Sequence, residues 1–252
     1  MLRFIAVICL LILPVTAGAQ KLVLGLSEDE VAITVNFDGS QILVFGAIKH
    51  EGPTAADAPL DVIITVRGPS LPATVYRKDR IMGIWANAAS VEIDAAPSFY
   101  AISSTKPLAD ILTNTDDLRY HITLPTAIRS VGAPQNIQDS QSFSDALMRI
   151  RTGNGLYQLN EGQASIIDQT LFRTNVSLPA NLVEGDYTVR VFLTQNKTVL
   201  AEYETALGVH KQGLERWLFT MSREQPFAYG LMALAIAISA GWGASAVFRF
   251  IR

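Results

Sequence analysis

The chain of 252 residues is 49% hydrophobic and 17% charged, with a formal net charge of −3 and a mean hydropathy of +0.26. That balance excludes a disordered chain, and the lack of any Lys/Arg cluster longer than Arg77-Lys78 argues against nucleic acid as a partner. The excess apolarity lies at the two ends, near Phe4–Val15 and Phe227–Phe248, around a middle of ordinary globular composition.

Residues 1–19 read as a secretory signal peptide: Arg3, an apolar stretch at Phe4–Val15, then Ala17-Gly18-Ala19 as a small-residue cleavage site. The stretch spans roughly 18 Å as helix, too short for a hydrocarbon core of about 30 Å. Cys9, the only cysteine, would leave with it, so the mature chain has no disulfide and no thiolate ligand or nucleophile.

Residues 20–210 read as an exported β-sandwich domain. Val31, Ile33, Val35 and Phe37 alternate towards one face, and Asp38-Gly39 signals a hairpin turn into a more fully buried strand at Gln41–Ile48. Asp61–Arg67 is β-branched and stops at Gly68-Pro69, with shorter strands expected at Ala73–Arg77, Ile81–Ala86 and Ser90–Ile93. Residues 105–168 have a different texture, read as a partly helical insertion. It holds a helical turn at Pro107–Thr113 and a helix at Ser140–Thr152, where Phe143, Ala146, Leu147 and Ile150 share a face.

The last hairpin is the clearest. Tyr187, Val189, Val191 and Leu193 point one way, Gln195-Asn196-Lys197 turns, and Val199–Val209 returns. Gly185-x-Tyr187 before an alternating strand resembles the tyrosine corner of immunoglobulin-like sandwiches. With about eight strands and no βαβ rhythm, the expected fold is mainly β: an immunoglobulin-like antiparallel sandwich with a helical insertion and one C-terminal membrane helix.

Residues 211–224 form an amphipathic juxtamembrane segment, with Leu214, Trp217, Leu218 and Met221 at helical spacing. Residues 225–248 hold 24 consecutive uncharged residues, enough for one membrane span, and residues 249–252 are a short basic tail. In the span, Ala233, Ala237, Gly241 and Ser245 recur every four residues, a stripe against which another helix can pack closely. Export of the middle before this segment stops transfer would leave the C-terminus in the cytoplasm.

Reactive groups are sparse. His50, His121 and His210 lie far apart in the sequence without metal-ligand spacing, so no cofactor or metal is expected. Ser103-Ser104-Thr105-Lys106 fits the Ser-x-x-Lys pattern, but the partner motifs are missing and Pro107 abuts the lysine, so a serine hydrolase using Ser103 is a minor alternative and no enzyme is expected. One polar and aromatic neighbourhood remains: Arg77, Lys78, Arg80, Trp85, Asn87, Phe99, Tyr100, Ser103 and Lys106. If adjacent strands converge, these make an interaction or ligand surface. The alternative is a solvated strand edge with Trp85 in the core.

Several stretches resemble the putative transmembrane protein family of alphaproteobacteria. They are Val35-x-Phe37-x-Gly39, Val44-Phe45-Gly46, Arg77-Lys78, Gly83-Ile84-Trp85-Ala86-Asn87, Pro97-Ser98-Phe99-Tyr100, Leu171-Phe172-Arg173, Leu178-Pro179-Ala180, Gly185-x-Tyr187 and Tyr229-Gly230. The family has no established activity. The resemblance implies an inner-membrane protein with a periplasmic domain, and a partnership with a sulfite-exporter-like permease. The leading expectation is therefore an accessory module for another envelope protein, able to form homo-oligomers. The alternative is a small-anion receptor built on Arg77, Lys78, Arg80 and Lys106.

Overall fold

The computed structural model describes residues 21–33, 37–49, 59–129, 139–211 and 214–250. Within Asp61–Arg67, the side chains of Val62, Ile63, Ile64, Thr65 and Val66 are all fully buried. A strand buried on both faces needs cover on both: Val62, Ile64 and Val66 face one layer and Ile63 the other, and exposing a large aliphatic side chain loses about 1.5–3 kcal/mol.

That strand sits inside a six-stranded sheet. Its order is β2 (Glu30–Ile33), β12 (Thr198–Lys211), β11 (Gly185–Gln195), β4 (Asp61–Arg67), β7 (Tyr100–Ser104) and β8 (Tyr157–Glu161). The central pairs are antiparallel, whereas β2 runs parallel to β12 and β8 parallel to β7. A four-stranded antiparallel sheet, ordered β1 (Lys21–Leu26), β3 (Ser40–Lys49), β10 (Leu171–Leu178) and β9 (Ser165–Ile167), covers one face. Ile42, Val44, Ile48, Phe172, Val176 and Leu178 there share a core with Val62, Ile64, Val66, Val189 and Val191.

The other face, carrying Ile63, Tyr100, Ile102, Tyr157 and Phe192, is covered by helices. These are α1 (Leu108–Ile111), α2 (Asn114–Tyr120) and α3 (Leu124–Ala127); Ile111 and Ala127 come from α1 and α3, and Ile122 from the link between α2 and α3. Polar clasps hold this layer to the β11–β12 hairpin. The Asp116 carboxylate accepts the Val199 N–H at 3.0 Å, Lys197 Nζ donates to the Ala109 carbonyl at 2.9 Å, and the Arg190 guanidinium donates to the carbonyls of Tyr120 and His121.

A two-stranded ribbon, β5 (Ser70–Ile81) with β6 (Ile84–Pro97), stands apart from both sheets. Its base packs Val75, Val91, Ile93 and Ala96 against Phe143 and Leu147 of α4 (Ser140–Gly153). The chain closes with α5 (Leu214–Glu224) and α6 (Pro226–Phe250), separated by Gln225, with Pro226 at the first helical position of α6. At about 1.5 Å per residue, the 25 residues of α6 reach about 37 Å, enough to cross a bilayer with tilt. Within α6, Pro226–Gly243 qualifies as a candidate span and none of it is buried inside the protein.

The mainly β fold, the helices between strands and the apolar C-terminal helix match the expectation. The Asp61–Arg67 strand and the Asn196-Lys197 turn also stand where the sequence places them, the latter with φ of 50° and 67°. Tyr187 lies at the entry to β11, fully buried, and its hydroxyl donates to the Val183 carbonyl at 2.8 Å, the bond of a tyrosine corner.

Four expectations need correction. The sandwich is not wholly antiparallel, since two parallel pairs flank the six-stranded sheet. Asp38-Gly39 does not close a hairpin: β2 joins the six-stranded sheet and β3 the other, so the turn crosses between layers. Strand β3 is buried on one face only, with Leu43 and Phe45 exposed on the other. The three short strands expected between Ala73 and Ile93 are two long ones folded at Met82-Gly83. Helices α2 and α3 are additional to the expected elements. The signal peptide, Val35, His50 and the last two residues of the tail lie outside the described residues.

Gly46 sits between its two flanking strands with no room for a side chain: an added Cβ would run into the Phe172 ring of β10 and the Val23 carbonyl oxygen of β1. Gly46→Ala should lower stability by about 1–3 kcal/mol, the usual range for overpacking. Thermal unfolding of the full chain in micelles would register it.

Candidate functional site

The sequence-selected residues divide into three places. Arg77, Lys78, Arg80, Trp85 and Asn87 share the ribbon, where the register sets Arg80 opposite Trp85 and Lys78 opposite Asn87. Strand pairing thus brings cations and the indole together, and Trp85 is 67% exposed, not in the core. The Arg77 guanidinium lies 5.2 Å from the Phe143 ring centroid, within cation–π range.

Phe99 and Tyr100 are fully buried, which removes them from any surface. Two hydrophobic residues in sequence at a strand start can face opposite layers, and these do. Phe99 lies 6.1 Å, ring to ring, from Tyr187 in the core between the sheets. Tyr100 points into the helical layer, where its hydroxyl donates to the Ile122 carbonyl at 2.9 Å.

Lys106 follows the far end of β7, where its Nζ donates to Asp61 Oδ2 at 2.9 Å and the Thr105 hydroxyl donates to Asp61 Oδ1 at 2.8 Å. It is therefore not part of the ribbon, and the four cations of the anion-receptor reading do not converge. Ser103 is fully buried on β7, and its Oγ has no hydrogen-bond partner. Without solvent access or a base beside it, that hydroxyl lacks the surroundings of an activated nucleophile. Among the described residues no group of three His, Cys, Asp or Glu side chains could hold a metal ion.

The ribbon's far half is bare. From Tyr76 to Ser90 no residue is buried, and Ile81, Met82, Ile84 and Trp85 expose 51%, 99%, 72% and 67% of their surface. Met82 and Gly83 form the two-residue turn with φ of 51° and 87°, the doubly left-handed geometry that favours Asn-Gly. A methionine there costs roughly 1 kcal/mol of backbone strain. Arg80 Nε reaches back to the Gly83 carbonyl at 3.4 Å.

A second feature escaped the sequence reading. On the outer face of the four-stranded sheet, Val23, Phe45, Ile167, Leu171 and Arg173 rim an apolar cavity of about 470 Å³. The signal for it in the sequence is the apolar run Gln41–Ile48, whose residues Leu43 and Phe45 face outward.

Burial raises the pKa of Tyr100, Tyr157 and Tyr187 above the ordinary 10.0, with nearby Arg190 and Arg151 opposing the rise at the first two. The un-ionised phenols therefore favour the folded state. Their contribution is whole below the ordinary tyrosine value and drains away as pH climbs through the folded-state values. Alkaline titration should show these three phenols ionising together with loss of the sandwich's circular dichroism. Ser103→Ala should be neutral or raise stability by about 1 kcal/mol, since it deletes an unpaired buried hydroxyl. A serine-reactive fluorophosphonate should leave the wild-type chain unlabelled.

No curated protein matches the chain. The family model described as "Putative transmembrane protein (Alph_Pro_TM)" matches residues 21–250, which hold every strand named above and both C-terminal helices. The chain belongs to that transmembrane family.

Proposed function

We propose that the chain is an inner-membrane accessory subunit: an immunoglobulin-like domain exported to the periplasm, a cytoplasmic C-terminus, and no enzymatic activity of its own. It pairs through α6 with another envelope protein, and a permease is the partner class that suits it. The strand order β1-β3-β10-β9 against β4-β11-β12 supports the immunoglobulin-like description, as does the Tyr187 bond.

The observation that carries the reading is the bare state of α6. Ala233, Ala237 and Gly241 are exposed along one stripe, and a Cβ built at Gly241 meets nothing within 4 Å. Small side chains let a second backbone approach closely, and dispersion then holds the pair where no hydrophobic force acts between helices. Ser245 continues the same four-residue spacing in α6. Ser239 is not spare glue for a partner, because its hydroxyl donates to the Ala235 carbonyl at 2.8 Å within its own helix.

Crosslinking in intact membranes is expected to recover one specific neighbour. Gly241→Leu should cut that recovery severalfold, as a loss of about 1 kcal/mol of helix contact would. A full-length chain with no crosslinked neighbour overturns the proposal.

A further inference from the structure

We infer that the tip of the β5–β6 ribbon is a second membrane contact, inserting Ile81, Met82, Ile84 and Trp85 into the interface of the bilayer that α6 crosses. The inference needs only the membrane span and not the pairing of α6 with a partner.

Topology sets the direction. Strand β11 is antiparallel to both β4 and β12, so β4 and β12 run towards the same end of the sheet. One cross-strand row contains Arg67, Thr188 and Ala206, after which β12 continues to Lys211 and leaves for α5 and α6. At that same row the β4–β7 ladder passes into the ribbon. Arg67 pairs with Tyr100, Gly68 N–H donates to the Phe99 carbonyl at 2.9 Å, Ser98 N–H donates to the Pro69 carbonyl at 2.8 Å, and Ser70 pairs with Pro97. The ribbon thus leaves the sandwich at the end from which the chain departs for the membrane. Its 12-residue β5 strand spans about 40 Å at about 3.3 Å per residue. The 11 residues of α5 span about 16 Å, so a tip on so long a ribbon is within reach of the bilayer surface.

Chemistry selects lipid over a flat protein surface. Ile81 and Ile84 are directly opposed on one face of the ribbon, Trp85 projects from the other beside Arg80, and Met82 caps the end. A partner lying against the ribbon would cover one face. A tip apolar on both faces suits a medium that surrounds it. Behind the apolar end come Arg77, Lys78 and Arg80 with only Asp79 as a carboxylate between Tyr76 and Ser90, and Asp79 Oδ1 accepts the Arg80 N–H. Indole at headgroup depth with cations just outside it is the composition of an interfacial anchor for anionic phospholipid. The local cationic collar stands against the acidic balance of residues 20–226, which carry 17 Lys and Arg to 23 Asp and Glu.

The test uses the full chain with Trp217→Phe and Trp242→Phe, leaving Trp85 as the one indole, in vesicles of phosphatidylethanolamine with a minor share of phosphatidylglycerol. The expected result is blue-shifted emission, quenching by acyl-brominated phospholipid and shielding from aqueous acrylamide. Met82→Asp with Ile84→Asp should abolish all three, and replacing phosphatidylglycerol by phosphatidylcholine should weaken them. Emission and acrylamide quenching like those of free tryptophan amide overturn the inference. So does shielding found in native membranes but lost in pure lipid, which would assign the tip to a protein partner. A spin label at Met82→Cys, in a Cys9→Ser background, gives an independent depth reading should the indole variants fail to fold. Crosslinking through α6 is unaffected by any of these tip changes, so the two readings stand or fall separately.

Discussion

Strand β4 is buried on both faces, and the rest of the molecule is arranged around that constraint. One side demands the four-stranded sheet and the other demands a second cover, which α1, α2 and α3 supply. The helical segment between β7 and β8 is thus a structural requirement of the six-stranded sheet. It is bound there by Asp116, Lys197 and Arg190, all reaching across to or from the β11–β12 hairpin. Strand β8 then extends the sheet beyond β7, and α4 covers the ribbon base. Three hydrophobic clusters follow from one doubly buried strand and its continuation past Gly68-Pro69.

Much of this was legible in the sequence wherever periodicity was unambiguous. The continuous run at Asp61–Arg67, the alternation from Tyr187 to Leu193 and the uncharged stretch from Gln225 each admit one physical reading. Pairing partners were not legible. Asp38-Gly39 is a good turn in any context, and local chemistry cannot say whether the following strand folds back or crosses to the opposite sheet. Nor does the apolar alternation at Leu43 and Phe45 reveal that its second face is uncovered. The short helices at Asn114 and Leu124 are held by tertiary clasps and carry too few apolar positions to declare a period.

The candidate surface divided along the same line. Residue types alone suggested that Arg77, Lys78, Arg80 and Trp85 could meet, and the register brings them together. Phe99 and Tyr100 looked equivalent to Trp85 by composition. Their burial follows from position: they stand at the entry to β7, which pairs with β4, while Trp85 lies near the free end of a ribbon whose one further bridge among the described residues, Ala95 to Arg129, is at its base. Lys106 is separated by the length of β7. Exposure here depends on distance from the sandwich, which composition does not encode.

The parallel pairing of β2 with β12 has a mechanical corollary. Residues Gly208–Lys211, the last before the chain leaves for the membrane, are clamped to Glu30–Ile33 running in the same direction. Tension transmitted from the lipid-embedded rod pulls β12 along its own axis, so the clamp's hydrogen bonds are strained in shear and share the load. An antiparallel terminal hairpin pulled apart from its open end would instead yield one bond after another. The domain is tethered through a strand paired on both sides, so drawing it out loads two ladders at once.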